Sequence, residues 1–157
     1  MSARGKARKR ALDILYQADL RGEPPLAILT AEQRLRTADG QPLNPFVGVL
    51  VTGVAANADL IDHQITQHSV GWTLARMPAV DRAILRIACL ELLASRGRVA
   101  IEDEAGTPSS VIIAEAVRLA GELSTEESGG FVNGVLAAIE RDLPLGAVAD
   151  SLDSTAG

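Results

Sequence analysis

Residues 78–94 read PAVDRAILRIACLELLA, and their spacing decides the fold class. Val80, Ile84, Ile87 and Ala88 recur at offsets of three and four, so they share one face of a helix. Leu85, Cys89, Leu90, Leu92 and Leu93 widen the apolar arc well beyond one stripe. A helix apolar around most of its circumference belongs inside a bundle. Pro78 suits a first helical position, where its missing N–H would have no partner. Arg82 and Arg86, one turn apart, mark the narrow polar edge. Glu91 falls within the apolar arc. A carboxylate there requires a cation or a helix N-terminus from a neighbouring element.

The same period runs through the flanking sequence. A first helix is expected over 4–20, with Ala7, Ala11, Ile14, Leu15 and Ala18 inward, ended by Gly22-Glu23-Pro24-Pro25. A second covers 26–38. A third, long helix covers 46–69 on Phe46, Leu50, Val54, Ala58, Ile61 and Ile65, with Gly48 and Gly53 allowing close helix approach. Residues 72–76 form a short fourth helix or a turn. Beyond the central helix, SRGRVAIEDEAGTP (95–108) mixes both charge signs and reads as an exposed loop. A sixth helix over 109–123 points Ile113, Ala114, Val117 and Ala120 inward, with Ser109 or Ser110 as its cap. STEESGG (124–130) is a polar turn in which Ser124 and Glu127 fit a capping box. A seventh helix over 130–143 uses Phe131, Val132, Val135, Leu136 and Ile139. Residues 144–157 read as a loose tail. No stretch alternates with period two, so the fold class is all-α with about seven helices.

At 157 residues, 47% hydrophobic and 22% charged, the chain suits one domain or two small packed subdomains. No run is long and apolar enough to span a membrane, and no signal-type run follows the basic N-terminus, so a cytosolic location is expected. The single cysteine, Cys89, permits no intrachain disulfide. The net charge of −5 hides an asymmetry: residues 1–22 carry +4 and the rest −9. Arg4, Lys6, Arg8, Lys9 and Arg10 crowd the start of a helix, where the dipole is already positive. Either an anionic partner or a solvated, frayed terminus accounts for that crowding.

Catalytic signals are missing. His63 and His68 are five apart, on different helix faces, so no helical metal pair forms. Neither glycine-rich phosphate loop is present, and no nucleophile has a base at a diagnostic spacing, so no cofactor is implied. Binding features are clearer. Arg8 and Lys9, or Lys6 and Arg10, can point the same way on a helix, and Arg82 and Arg86 add a second cationic edge. Phe131, after two glycines, either presents a ring to an unstacked base or sits in the core. Only four aromatic residues occur, which rules out an extended stacking platform.

Three blocks carry a resemblance: KARKRALDILYQADLRG (6–22), GWTLARMPAVDRAILRIACLELL (71–93) and EAVRLAGELSTEESGGFVNGVL (115–136). Through them the chain resembles the NusB family of bacterial transcription antitermination factors, its actinobacterial members in particular. The resemblance implies two packed three-helix bundles, about 4–70 and 72–143, and no enzymatic activity. It implies pairing with the ribosomal protein NusE and binding of the single-stranded boxA element of nascent ribosomal RNA leaders, which helps RNA polymerase resist termination. By the same resemblance Arg4, Lys6, Arg8, Lys9, Arg10, Arg82, Arg86, Glu127, Ser128 and Phe131 face RNA, and Tyr16 and Asp81 face NusE. Self-association through the same surface is allowed. Two departures stand out: Gly130 replaces a lysine found in some members, and the 95–108 loop is longer and more acidic. Two further readings are a helical protein-interaction module without RNA contact and a fragment of a ribosomal-RNA cytosine methyltransferase. No glycine-rich cofactor loop supports the latter.

Overall fold

The computed structural model describes residues 2–103 and 106–144, and all regular structure in them is helical. Ser2 opens α1 (Ala3–Arg21) by accepting the Gly5 N–H at 3.0 Å. Gly22 closes it at φ 64°, a left-handed conformation that favours glycine. There follow α2 (Pro25–Ala38), α3 (Pro45–Ala56), α4 (Ala58–His68), a single 3-10 turn (Leu74–Arg76), α5 (Ala79–Ser95), α6 (Ser109–Leu123) and α7 (Ser128–Asp142). Among the described residues, no single helix is long and apolar enough to cross a membrane.

The central position expected for 78–94 holds. Every residue from Ile87 to Leu93 is buried, and α5 packs against α1, α3, α4, α6 and α7. On one side α1, α2 and α3 pack on each other; on the other α6 pairs with α7, and α4 lies against α5 and α7. Gly53 brings α3 close to α5: a Cβ there would stand 2.7 Å from Leu90 Cδ2. Gly48 has no such role, since its Cβ would meet only Gln33 at 3.5 Å.

Several local expectations are corrected. The long third helix is two, α3 and α4, bent by 78°. Asn57 makes the break, because its backbone N–H and its side-chain Nδ2 both bond the Gly53 carbonyl, at 3.1 and 2.9 Å. Ala58 is therefore exposed. The inward face of α6 is met only in part: Ala120 is buried and Ile113 packs on the core as expected, but Ile112, Ala116 and Leu119 are the other buried residues and Ala114 faces solvent. α6 starts after Pro108 with no side-chain cap. The capping box is not formed either, as α7 begins at Ser128 and Glu127 caps nothing with its side chain. The 95–108 loop is not simply exposed: Val99 and Ile101 pack on the core. The expected tail lies, from 145 onward, outside the described residues.

Candidate nucleic-acid interface

The cations of α1 divide by what they already hold. Arg8 is buried and supplies the cation that Glu91 requires: its Nε and Nη2 donate to the two carboxylate oxygens at 3.0 and 2.8 Å. Burial pulls the Arg8 pKa down, but the hydrogen bond and charge of Glu91, with Glu115 and Asp103, outweigh it and raise the value. Arg8 therefore stays charged and inside, which corrects the expectation that it faces RNA. Arg4 lies over the Phe46 ring at 4.2 Å, donates to Thr107 Oγ1 at 2.9 Å and pairs with Asp103. The acidic loop is thus laid against the start of α1. Lys9 meets Glu122 at 2.7 Å and Arg10 meets Glu32 at 3.3 Å, both pairs open to solvent. Lys6 is exposed and makes no ion pair among the described residues.

The second cationic edge is tied down within the fold. Arg82 donates to Asp19 at 2.9 Å and to the Leu74, Ala75 and Met77 carbonyls at 3.1, 3.3 and 2.9 Å, so it holds the 3-10 turn. Arg86 forks onto Asp62 at 2.9 and 3.1 Å. Both keep partial exposure, 16% and 23% of the side chain, on the flank of α5.

Asp81 and Ser128 are fully buried, which corrects their expected places at a partner surface and at RNA. Asp81 Oδ1 accepts the Ser124 hydroxyl at 2.5 Å, and Ser124 Oγ accepts from Ser128 Oγ at 3.0 Å. Ser128 Oγ also accepts the Thr125 N–H at 3.2 Å. A chain of hydroxyls thus runs from the first turn of α5 to the α6–α7 turn. Both sites had a signal in the spacing. Asp81 leads the stripe Leu85, Ala88 and Leu92, and Arg8 leads Ala11, Leu12 and Leu15; all six apolar members are buried.

What remains at the surface converges. Lys6, Lys9 and Arg10 line an open groove of about 610 Å³ together with Tyr16, Val80 and Leu123. Val80 and Leu123 are the chain neighbours of Asp81 and Ser124, so the groove adjoins the α6–α7 turn. On that turn Glu127 is exposed, and in the first turn of α7 Phe131 is half-buried. The Phe131 ring meets Trp72 edge-to-face, centroids 4.9 Å apart at 65°. Phe131 is neither a core residue nor a bare one, and Trp72 is a neighbour that spacing does not reveal. Cys89 offers no nucleophile, because burial, with the Asp62 charge behind it, pushes its thiol up to about 12.

Residues 5–141 match the model of the NusB family. The chain belongs to the NusB family. Its NusB relatives include the transcription antitermination protein NusB of Acidothermus cellulolyticus, 53% identical over 139 residues that cover 88% of either chain. The protein of the same name from Saccharopolyspora erythraea is 50% identical over 139 residues, 88% of this chain and 87% of that one. Among solved structures, T. maritima NusB superposes with a TM-score of 0.74 at 28% identity, covering 92% of this chain and 95% of that one. A chain in the crystal structure of antitermination factors NusB and NusE in complex with dsRNA gives 0.70 at 26% identity, covering 90% and 98%.

Proposed function

We propose that the chain is a transcription antitermination factor that acts by binding, not by catalysis. In the cytoplasm it pairs with the ribosomal protein NusE and holds the single-stranded boxA element of nascent ribosomal RNA leaders. The pair joins the antitermination complex of RNA polymerase. The observation that carries this reading is the groove: Lys6, Lys9 and Arg10 line one surface with Asp13 and Leu123, the last residue of α6, and the exposed Glu127 and half-buried Phe131 follow at the start of α7. A cationic groove suits an unpaired strand, with phosphates along the groove and one base against Phe131 beyond the end of α6. Tyr16, in the same groove, is assigned to NusE. Arg82 and Arg86 flank the site, while Arg4, Arg8, Ser128 and Asp81 support it from within.

The test is boxA RNA binding by the chain alone, by NusE alone and by the two together, with Phe131→Ala measured alongside. Loss of the ring lowers RNA affinity by about 1–3 kcal/mol, the worth of one stacked base. Phe131→Tyr restores it, and NusE binding is unchanged. A large fall in melting temperature with unaltered RNA affinity of the folded fraction would return Phe131 to a packing role. RNA affinity indifferent to salt would favour a protein-only module instead.

A further inference from the structure

We infer that Asp81 is a positioning residue for RNA binding: it acts through Ser124 and Ser128 to fix the α6–α7 turn that presents Glu127 and Phe131. The inference rests on the RNA-binding reading above.

A carboxylate with no exposed surface is expensive unless its oxygens are satisfied. Asp81 has none exposed, and its Oδ2 finds no partner. Among the described residues its one hydrogen bond runs to Ser124. It bonds no backbone N–H of its own helix, so it is not a cap for α5. The only structural element it holds by hydrogen bond is the turn. From Ser124 the contact continues to Ser128, itself fully buried, and from there to the Thr125 backbone. Two glycines, Gly129 and Gly130, then separate Ser128 from Phe131. A Cβ at Gly130 would meet nothing within 4 Å, so no neighbouring side chain covers that side of the first turn of α7. Glycines in a first helical turn also leave the backbone loose. Phe131 N–H donates to the Glu127 carbonyl at 3.1 Å, so the ring is aimed by how this first helical turn sits, and the hydroxyl chain at Ser128 fixes that turn. Trp72, which leads into α5, meets the ring at the other end. The α6–α7 junction is thus held twice, by hydrogen bonds to the first turn of α5 and by an aromatic pair from α7 to the segment before the 3-10 turn.

The experiment uses full-length Asp81→Asn and Ser124→Ala with labelled boxA RNA in the presence of NusE. Trp72 is the sole tryptophan, so its emission reports the ring pair directly. Both variants are expected to lose about tenfold in RNA affinity, a size typical of residues that act through others. NusE affinity stays at the wild-type value, and the Trp72 emission maximum shifts as Phe131 moves away. Ser124→Thr, which keeps the hydroxyl, restores both readouts. Should Asp81→Asn fail to fold, Ser124→Ala decides the matter alone. Unchanged RNA affinity and emission in Ser124→Ala, beside a Phe131→Ala protein that loses RNA, overturns the inference and leaves the RNA site standing. Normal RNA binding by Phe131→Ala overturns both. Loss of NusE binding by a folded Asp81→Asn protein returns Asp81 to the partner interface.

Discussion

Removing the Arg8 guanidinium strands the Glu91 carboxylate between α1 and α5. Both side chains are about 5% exposed or less, so water cannot replace the lost partner. Breaking a buried pair from one side typically destabilises by about 3–5 kcal/mol, whereas replacing both partners by apolar groups is often neutral. Arg8→Ala should therefore lower the unfolding free energy by that amount, read as a lower urea midpoint, and Arg8→Met with Glu91→Met should recover most of it. A wild-type midpoint for Arg8→Ala rules out a structural role. The demand for this pair was legible in the sequence, because Glu91 interrupts an apolar arc. Its supplier was legible only through the spacing that leads to Ala11, Leu12 and Leu15: Arg8 sits in a run of five cations, and a run invites reading as one solvated surface. Helical geometry sends Arg8 inward while Lys6, two residues before it, points out. Asp81 misled for a related reason. A carboxylate in a first helical turn usually faces solvent and the dipole, and nothing in its own neighbourhood announces Ser124, 43 residues further on.

At the scale of the helices, apolar periodicity located all seven α-helices except for one break. α3 and α4 keep a continuous stripe from Phe46 to Ile65, so spacing alone joins them; the 78° bend depends on how the Asn57 side chain competes for one carbonyl. The face of α6 was misread in part because apolar residues fall on two adjacent sides, and packing between α5 and α7 selects the stripe with Ile112 and Leu119. Close approach was legible at Gly53. There, Gly53→Ala should destabilise by about 1–3 kcal/mol although alanine is the better helix former, because fully buried Leu90 has nowhere to move. Gly134 gives the opposite case. It is exposed within α7 and a Cβ would meet nothing within 4 Å, so Gly134→Ala should stabilise by about 0.4–1 kcal/mol. Thermal unfolding of the two variants beside the wild type checks the order. Equal shifts would refute the packing argument.

Over the whole molecule, the basic arm proves largely neutralised by the acidic remainder. Arg4, Arg8, Lys9 and Arg10 each hold a carboxylate from a distant segment, and only Lys6 stands apart among the described residues. RNA must displace Glu122 to use Lys9. That carboxyl is held below its usual range by the Lys9 hydrogen bond, then by the Lys9 charge and Arg118. A depressed folded pKa means the pair persists at neutral pH and is lost only as pH falls through that lowered value. Lys6→Ala should thus flatten the log–log salt slope by roughly 0.7 with no change in melting temperature, as one phosphate contact to a single strand disappears. Glu122→Gln should raise RNA affinity by releasing Lys9. A salt titration of both variants settles the assignment; an unaltered slope in Lys6→Ala removes Lys6 from the phosphate path. The long span of these ion pairs also sets a timetable for synthesis. Lys9 and its acid Glu122 lie 113 residues apart, so at about 5–20 residues per second the nascent chain carries Lys9 without its acid for about 6–23 s, whereas Arg10 has Glu32 after 22 residues. During that interval Lys9 leaves the ribosome without its acid beside ribosomal RNA, and α1 can close its core only when α3 and α5 have followed it out.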